Sequence, residues 1–190
     1  PDGNVGLHKM NLAIPRGCFV ALMGPSGCGK STLLKCLNAA NPATEGKVHL
    51  FGFELNSNNY NAIKDQIGYV PQDDIVHQAL SVKETLWCAA KLRLVTKENT
   101  IIEARISEVL KSLDIENLQK KKVSELSGGQ RKRVSIAVEL LSDPDLLFMD
   151  EPTSPLDPQT IDGFLKAIRR VVKTTNTTVV MVRITINNRG

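Results

Sequence analysis

The stretch CFVALMGPSGCGKSTLLKCLN, Cys18 to Asn38, decides the fold. An apolar run, CFVALM, reads as a strand, and STLLKCLN reads as a helix. Between them GPSGCGKS, Gly24 to Ser31, fits the pattern G-x-x-x-x-G-K-[ST] in the strand-then-helix setting that the pattern requires. Gly24, Gly27 and Gly29 let the backbone turn its N–H groups inward, and the helix start adds partial positive charge. This is a phosphate cradle. Lys30 is placed to reach the β- and γ-phosphates of a nucleotide, Ser31 to ligate magnesium, and Thr32 to add a donor. The candidate nucleotide loop therefore comprises Gly24, Pro25, Ser26, Gly27, Cys28, Gly29, Lys30, Ser31 and Thr32. Cys28 is read as a small space-filler, since no His or second Cys beside it in sequence suggests thiol chemistry.

Downstream, GKVHLFGFEL looks like a hairpin region and IGYV, Ile67 to Val70, like a further strand. From about Ser81 the pattern turns helical. Ser81 with Glu84 and Ser127 with Gln130 form two capping boxes, each ahead of a helical stretch. Ile102, Ile106, Val109, Leu110 and Leu113 make a helical apolar face between them. LLFMD then returns as a strand, apolar throughout and hence covered on both faces, which ends in Asp150 and Glu151. A helix from about Pro158 to Val172 and a strand from Val179 to Ile184 follow, and VGLHKMNLAI near the start reads as an edge strand. Alternating strands and helices predict an α/β fold: a parallel sheet of P-loop NTPase (RecA-like) type, with a helical subdomain over about 78–142 and a short N-terminal antiparallel β region. The chain is expected to form a single domain over 1–190.

Net charge is +4, with 42% hydrophobic and 23% charged residues, ordinary values for a globular chain. No basic-aromatic stripe of the kind that stacks bases is present, so nucleic acid is not expected as a partner. Cys18, Cys28, Cys36 and Cys88 form no CxxC pair, which argues against a zinc site or disulfide framework and fits a reducing cytosolic setting. No apolar run approaches the length of a membrane span.

A carboxylate at the tip of a central strand is well placed to hold magnesium, the role read for Asp150, while Glu151 can orient and deprotonate an attacking water. The decisive addition is LSGGQRKRVSIAVELL, Leu126 to Leu141. With it, the chain resembles the ATP-binding domain of ABC transporters, whose signature is LSGGQ followed by a helix. The resemblance implies that Ser127, Gly128, Gly129 and Gln130 complete the ATP site of a second such domain in a head-to-tail dimer. It also implies that Gln72, in YVPQDD, touches magnesium and senses the γ-phosphate, and that TSPLD is the D-loop ending in Asp157. By resemblance, Glu151, Gln72 and Lys30 are catalytic, Ser31, Gln72 and Asp150 hold Mg2+, and ATP is the nucleotide. VPQDDIVHQALSVKETLWCAAKLRL, with Asp73, Asp74 and His77, is similar to G-type half-transporters and bacterial exporters with an ABC-2-type membrane domain. For Asp73, Asp74 and His77 an ordinary solvated loop is the competing reading. The family likeness implies ATP hydrolysis coupled to export, a permease partner of ABC-2 type, and a place at the cytoplasmic face of a membrane.

Three features depart from the family pattern. Ile184 stands where a switch histidine is expected, and neither Arg183 nor Thr185 supplies one; His8, His49 and His77 all lie upstream of Asp150. Pro155 stands in the D-loop where a small residue is usual. Residues 1–17 hold no aromatic to stack on adenine, and the chain is expected to be truncated at both ends. Two alternatives stay open: an ATP-binding dimerisation module impaired in hydrolysis, and a soluble ABC protein of translation or repair type.

Overall fold

The computed structural model describes residues 6–56, 59–154 and 156–184. Its main sheet holds β1 (Phe19–Gly24), β4 (Ile67–Val70), β5 (Leu146–Asp150) and β6 (Thr178–Ile184), in the order β1-β6-β5-β4. Every pairing is parallel, so all four carboxyl ends share one edge. Register places Gly24 beside Ile184, Asp150 beside Val182, and Val70 beside Met149. That edge is where an open parallel sheet gathers its chemistry.

The apolar run of β5 is explained by burial on both faces. Leu147 and Met149 point to one core with Val179 and Met181 of β6, while Leu146 and Phe148 point to another with Val180 and Val182. Side chains that alternate between two covered faces leave no room for polar alternation. Helix α1 (Lys30–Leu37) covers one face through Leu34. The other face is covered by α5 (Gly128–Leu140) and α6 (Pro158–Thr175), together with α3 (Val82–Arg93) and α4 (Asn99–Ser112). On α6, Phe164, Ala167, Ile168 and Val171 are buried, a spacing of one helical face. The helix runs to Thr175, past the expected Val172, and ends where Asn176 adopts φ 58° as a left-handed cap.

Both predicted capping boxes form, at Ser81–Glu84 and Ser127–Gln130. The hairpin region narrows to β2 (His49–Leu50) and β3 (Phe53–Glu54), joined by Phe51 and Gly52, both at positive φ as a two-residue primed turn demands. Short α2 (Tyr60–Ile63) leads into β4. The edge strand expected in VGLHKMNLAI does not form: residues 6–16 pair with no strand. A strand needs a ladder partner, and this segment is held by side chains instead. Ile14 packs on the α1-side core, and Arg16 meets Asp145 at 2.6 Å while lying over the Phe51 ring. All four cysteines are free thiols.

Candidate functional site

β1 delivers the chain to Gly24, and the loop returns into α1 through Gly27 at φ 79° and Gly29 at φ 89°. A side chain at Gly29 would meet the Gly6 carbonyl oxygen at 2.7 Å, and one at Gly24 would meet Cys28 Sγ at 2.8 Å. Gly29 is therefore required by space as well as by conformation, whereas at Gly24 the obstacle is a side chain that can turn. Lys30 Nζ donates to the Pro25 carbonyl at 2.6 Å and approaches Cys28 Sγ at 3.5 Å, so its ammonium lies across the loop. Pro25, Ser26 and Cys28 are exposed; Ser31 and Thr32, on the first turn of α1, are half-buried.

Ser31 Oγ donates to Asp150 Oδ1 at 3.0 Å. This joins the helix after the phosphate loop to the tip of β5 across most of the sequence. Asp150 is buried, and its other oxygen receives the Tyr69 hydroxyl at 3.4 Å. Burial, then the charge of Asp150, then that bond hold the Tyr69 phenol above its ordinary range. Ser31 Oγ and Asp150 are hard oxygen donors side by side, the ligand type that suits magnesium. Among the described residues no cluster of three His, Cys, Asp or Glu side chains could hold a metal alone.

Glu151 departs from the strand at φ 44°, a left-handed conformation that few non-glycine residues adopt and that tends to cluster at functional sites. Its N–H donates to the Val182 carbonyl at 3.1 Å, and its own carbonyl accepts from Ser154 at 3.1 Å. The turn thus fixes the Glu151 backbone at the sheet's carboxyl edge. Gln72 follows β4 at the same edge with an exposed side chain, and its carbonyl accepts from Lys132 Nζ at 2.8 Å.

The signature residues stand apart from this cluster, at the start of α5. Ser127 caps the helix, its hydroxyl accepting from Gln130 N–H while Gln130 Oε1 accepts from Ser127 N–H at 3.0 Å. A side chain at Gly129 would strike Thr160 of α6 at 2.5 Å, so this glycine serves close packing, whereas Gly128 has Leu156 only at 3.8 Å. Asp157 caps α6, accepting from the N–H groups of Gln159 and Thr160 at 3.1 and 3.0 Å. The Thr160 hydroxyl and these amides hold its carboxyl below the usual range. Pro155 and Thr185 lie outside the described residues, and Ile184 is described only as the last residue of β6.

The reading of Asp74 as part of a solvated loop is corrected. Its carboxylate meets Lys132 Nζ at 2.7 Å and accepts from the Ser135 hydroxyl at 3.2 Å. Sequence reasoning also passed over Tyr69 and Lys132. Tyr69 carries the period-2 signal of any half-buried strand, and Lys132 sits in a basic run that reads as solvent-facing.

A family model described as ABC transporter matches residues 7–154. The ABC transporter ATP-binding/permease protein Rv1747 of Mycobacterium tuberculosis is 44% identical over 156 residues, which cover 80% of this chain and 18% of that protein. ABC transporter G family member 28 of Arabidopsis thaliana is 39% identical over 164 residues, 81% of this chain and 14% of that protein. The phosphonates import ATP-binding protein PhnC 2 of a Synechococcus strain is 35% identical over 181 residues, 90% of this chain and 67% of that protein. Among solved structures, cbiO1 of Clostridium perfringens, part of the ABC transporter complex cbiONQ, superposes with a TM-score of 0.87 at 29% identity, covering 95% of this chain and 72% of that one. A post-hydrolysis dimer of the cassette MJ0796 bound to ADP and Pi gives 0.77 at 30%, covering 94% and 79%. The chain spans less than a fifth of the first two relatives' length.

Proposed function

Because this chain belongs to the ABC transporter family as one of its ATP-binding domains, we propose that it binds ATP with Mg2+ and hydrolyses it as a head-to-tail dimer, driving export through an ABC-2-type membrane domain. The observation that supports this is the Ser31–Asp150 bond, which brings a hydroxyl of the phosphate-loop helix beside the carboxylate at the tip of β5. In this reading the loop amides of Gly27 to Ser31 and the Lys30 ammonium bind the phosphates, releasing the Pro25 carbonyl. Ser31 and Asp150 would hold magnesium, with Gln72, just beyond β4, completing the set. The ion would supply positive charge against the nucleotide phosphates. Glu151, on its left-handed backbone, orients a water and takes its proton. Ser127, Gly128, Gly129 and Gln130 present a capped helix start to the partner's nucleotide, and Asp157 shapes the loop beside it.

Residues 1–190 form one domain in this proposal, and the helical part over about 78–142 receives the membrane domain. Among the described residues no helix is long and apolar enough to cross a membrane, so attachment to the cytoplasmic face is assigned to that partner. Export follows from the likeness of the Val70–Leu94 region to G-type transporters, and a G family member is among the relatives. The phosphonate import protein among them makes direction part of the proposal rather than of the family.

A second reading, an ATP-binding module impaired in hydrolysis, is favoured by Ile184. Its backbone pairs with Gly24 at the head of the phosphate loop, where the family resemblance implies a histidine. Single-turnover hydrolysis of Mg–ATP by the wild type, Glu151→Gln and Ile184→His separates the two. The ATPase reading expects wild-type turnover that Glu151→Gln abolishes with ATP still bound. It fails if turnover appears only in Ile184→His.

A further inference from the structure

Lys132 is fully buried, with no solvent exposure. Its ammonium has three protons and meets three acceptors: the Asp74 carboxylate at 2.7 Å, the Gln72 carbonyl at 2.8 Å and the Pro71 carbonyl at 3.2 Å. A buried charge is retained only where it is paired and fully hydrogen-bonded, and this one is. Lys132, Ser135 and Glu139 fall at i, i+3 and i+7 of α5, one stripe of that helix. All three are buried, a polar line on an otherwise apolar surface.

The stripe faces β4, which is an edge strand of the main sheet among the described residues. An edge strand presents N–H and C=O groups that no neighbouring strand satisfies. Here α5 satisfies them with side chains. Glu139 Oε2 accepts from the Tyr69 N–H at 3.3 Å, and Lys132 serves the carbonyls of Pro71 and Gln72 just beyond the strand. Ser135 then donates to Asp74 at 3.2 Å, and Arg131 Nε lies 3.8 Å from the same carboxylate. One helix thus grips the segment from Tyr69 to Asp74 at both ends. The N-terminus of that helix is the Ser127–Gln130 signature.

We propose that Lys132 is a positioning residue that fixes Gln72 to the signature helix, so that the signature serving the partner's nucleotide and the glutamine serving this chain's own nucleotide shift as one body. The inference rests on the proposed ATPase reading. Lys132 meets the backbone carbonyls of Pro71 and Gln72 and the side chain of Asp74, so its effect falls on where the glutamine side chain is held. Phosphate binding by Gly24–Thr32 does not pass through it.

The test uses the intact protein that carries this chain, with ATP affinity, kcat and thermal midpoint measured for the wild type, Lys132→Met, Asp74→Asn and the double variant. Methionine keeps the length and volume without the charge. The expected result is an ATP Kd within twofold of wild type, a kcat at least tenfold lower, and a double variant no slower than Lys132→Met. A lowered thermal midpoint with unchanged kcat overturns the proposal, because Lys132 would then serve stability alone. A parallel loss of affinity and kcat overturns it too. In the wild type, hydrogen exchange at residues 70–74 and 126–131 should slow over the same range of ATP concentration; responses at separate concentrations overturn the proposal without any variant. A wild type that binds no ATP refutes the ATPase reading and this inference with it, whereas an active wild type with an equally active Lys132→Met refutes only the inference.

Discussion

Glu139→Ala should be among the most destabilising single changes in the sheet's surroundings. Its carboxylate receives Arg93 through two bonds of 2.9 and 2.6 Å and accepts the Tyr69 N–H at 3.3 Å, with only 9% of its side chain exposed. Each charge-assisted bond is worth about 1.5–3 kcal/mol net. Arg93 is 36% exposed and can turn to water, so solvent screening reduces the pair to about the value of one bond. The Tyr69 amide at the outer edge of β4 has no such recourse, and leaving a buried donor unmet costs about 1–3 kcal/mol. The sum is about 2.5–6 kcal/mol, centred on about 4. At about 2–4 °C per kcal/mol for a chain of this size, the thermal midpoint should fall by about 10 °C. Circular dichroism melts of the wild type, Glu139→Ala and Arg93→Met with Glu139→Leu measure it. The double replacement removes the ion pair and both charges together, so it should recover about half of the loss and retain the Tyr69 share. A drop below about 2 °C for Glu139→Ala, or a double variant worse than the single, would refute this partition.

Three further outcomes follow from the site. Gly29→Ala places a side chain in a left-handed position costing about 1–2 kcal/mol and against the Gly6 carbonyl, so ATP binding by titration should weaken, while an unchanged Kd would contradict the cradle. Alkylation of the exposed Cys28, whose Sγ approaches Lys30 Nζ, should block nucleotide entry, and bound Mg–ATP should protect it; full ATP binding after complete modification would contradict this. The folded state holds the Tyr69 proton more tightly than the unfolded chain does. The stability this adds is present below the ordinary phenol value of about 10 and is lost as pH rises through the raised folded value. Denaturation midpoints should therefore fall across that alkaline window, and Tyr69→Phe should fall less.

Much of this site was legible in the chain because its signals are local. The phosphate loop is spelled by glycines that the backbone needs at φ 79° and 89°, and β5 by the two-sided burial that makes it apolar throughout. Capping boxes are likewise four-residue events, and both formed where the residues stand. What could not be read is what depends on distant partners. VGLHKMNLAI has strand character but pairs with no strand, and propensity without a ladder does not make one. Lys132 lies between two half-buried arginines, and only the packing of α5 on the edge of β4 makes it the fully buried member of the run. The left-handed Glu151 is equally silent in sequence, since its turn is set by the Val182 carbonyl on the neighbouring strand.

The central claim is a site composed from two chains, with the phosphate loop of one facing the signature of the other. Lys30→Ala removes the first element and Ser127→Arg the second, and each variant alone should lack ATPase activity. A mixed dimer of the two carries both lesions in one site and neither in the other. Mixing the variants should therefore restore hydrolysis, in proportion to the mixed dimer formed. A mixture as inactive as its two parents would contradict the head-to-tail arrangement.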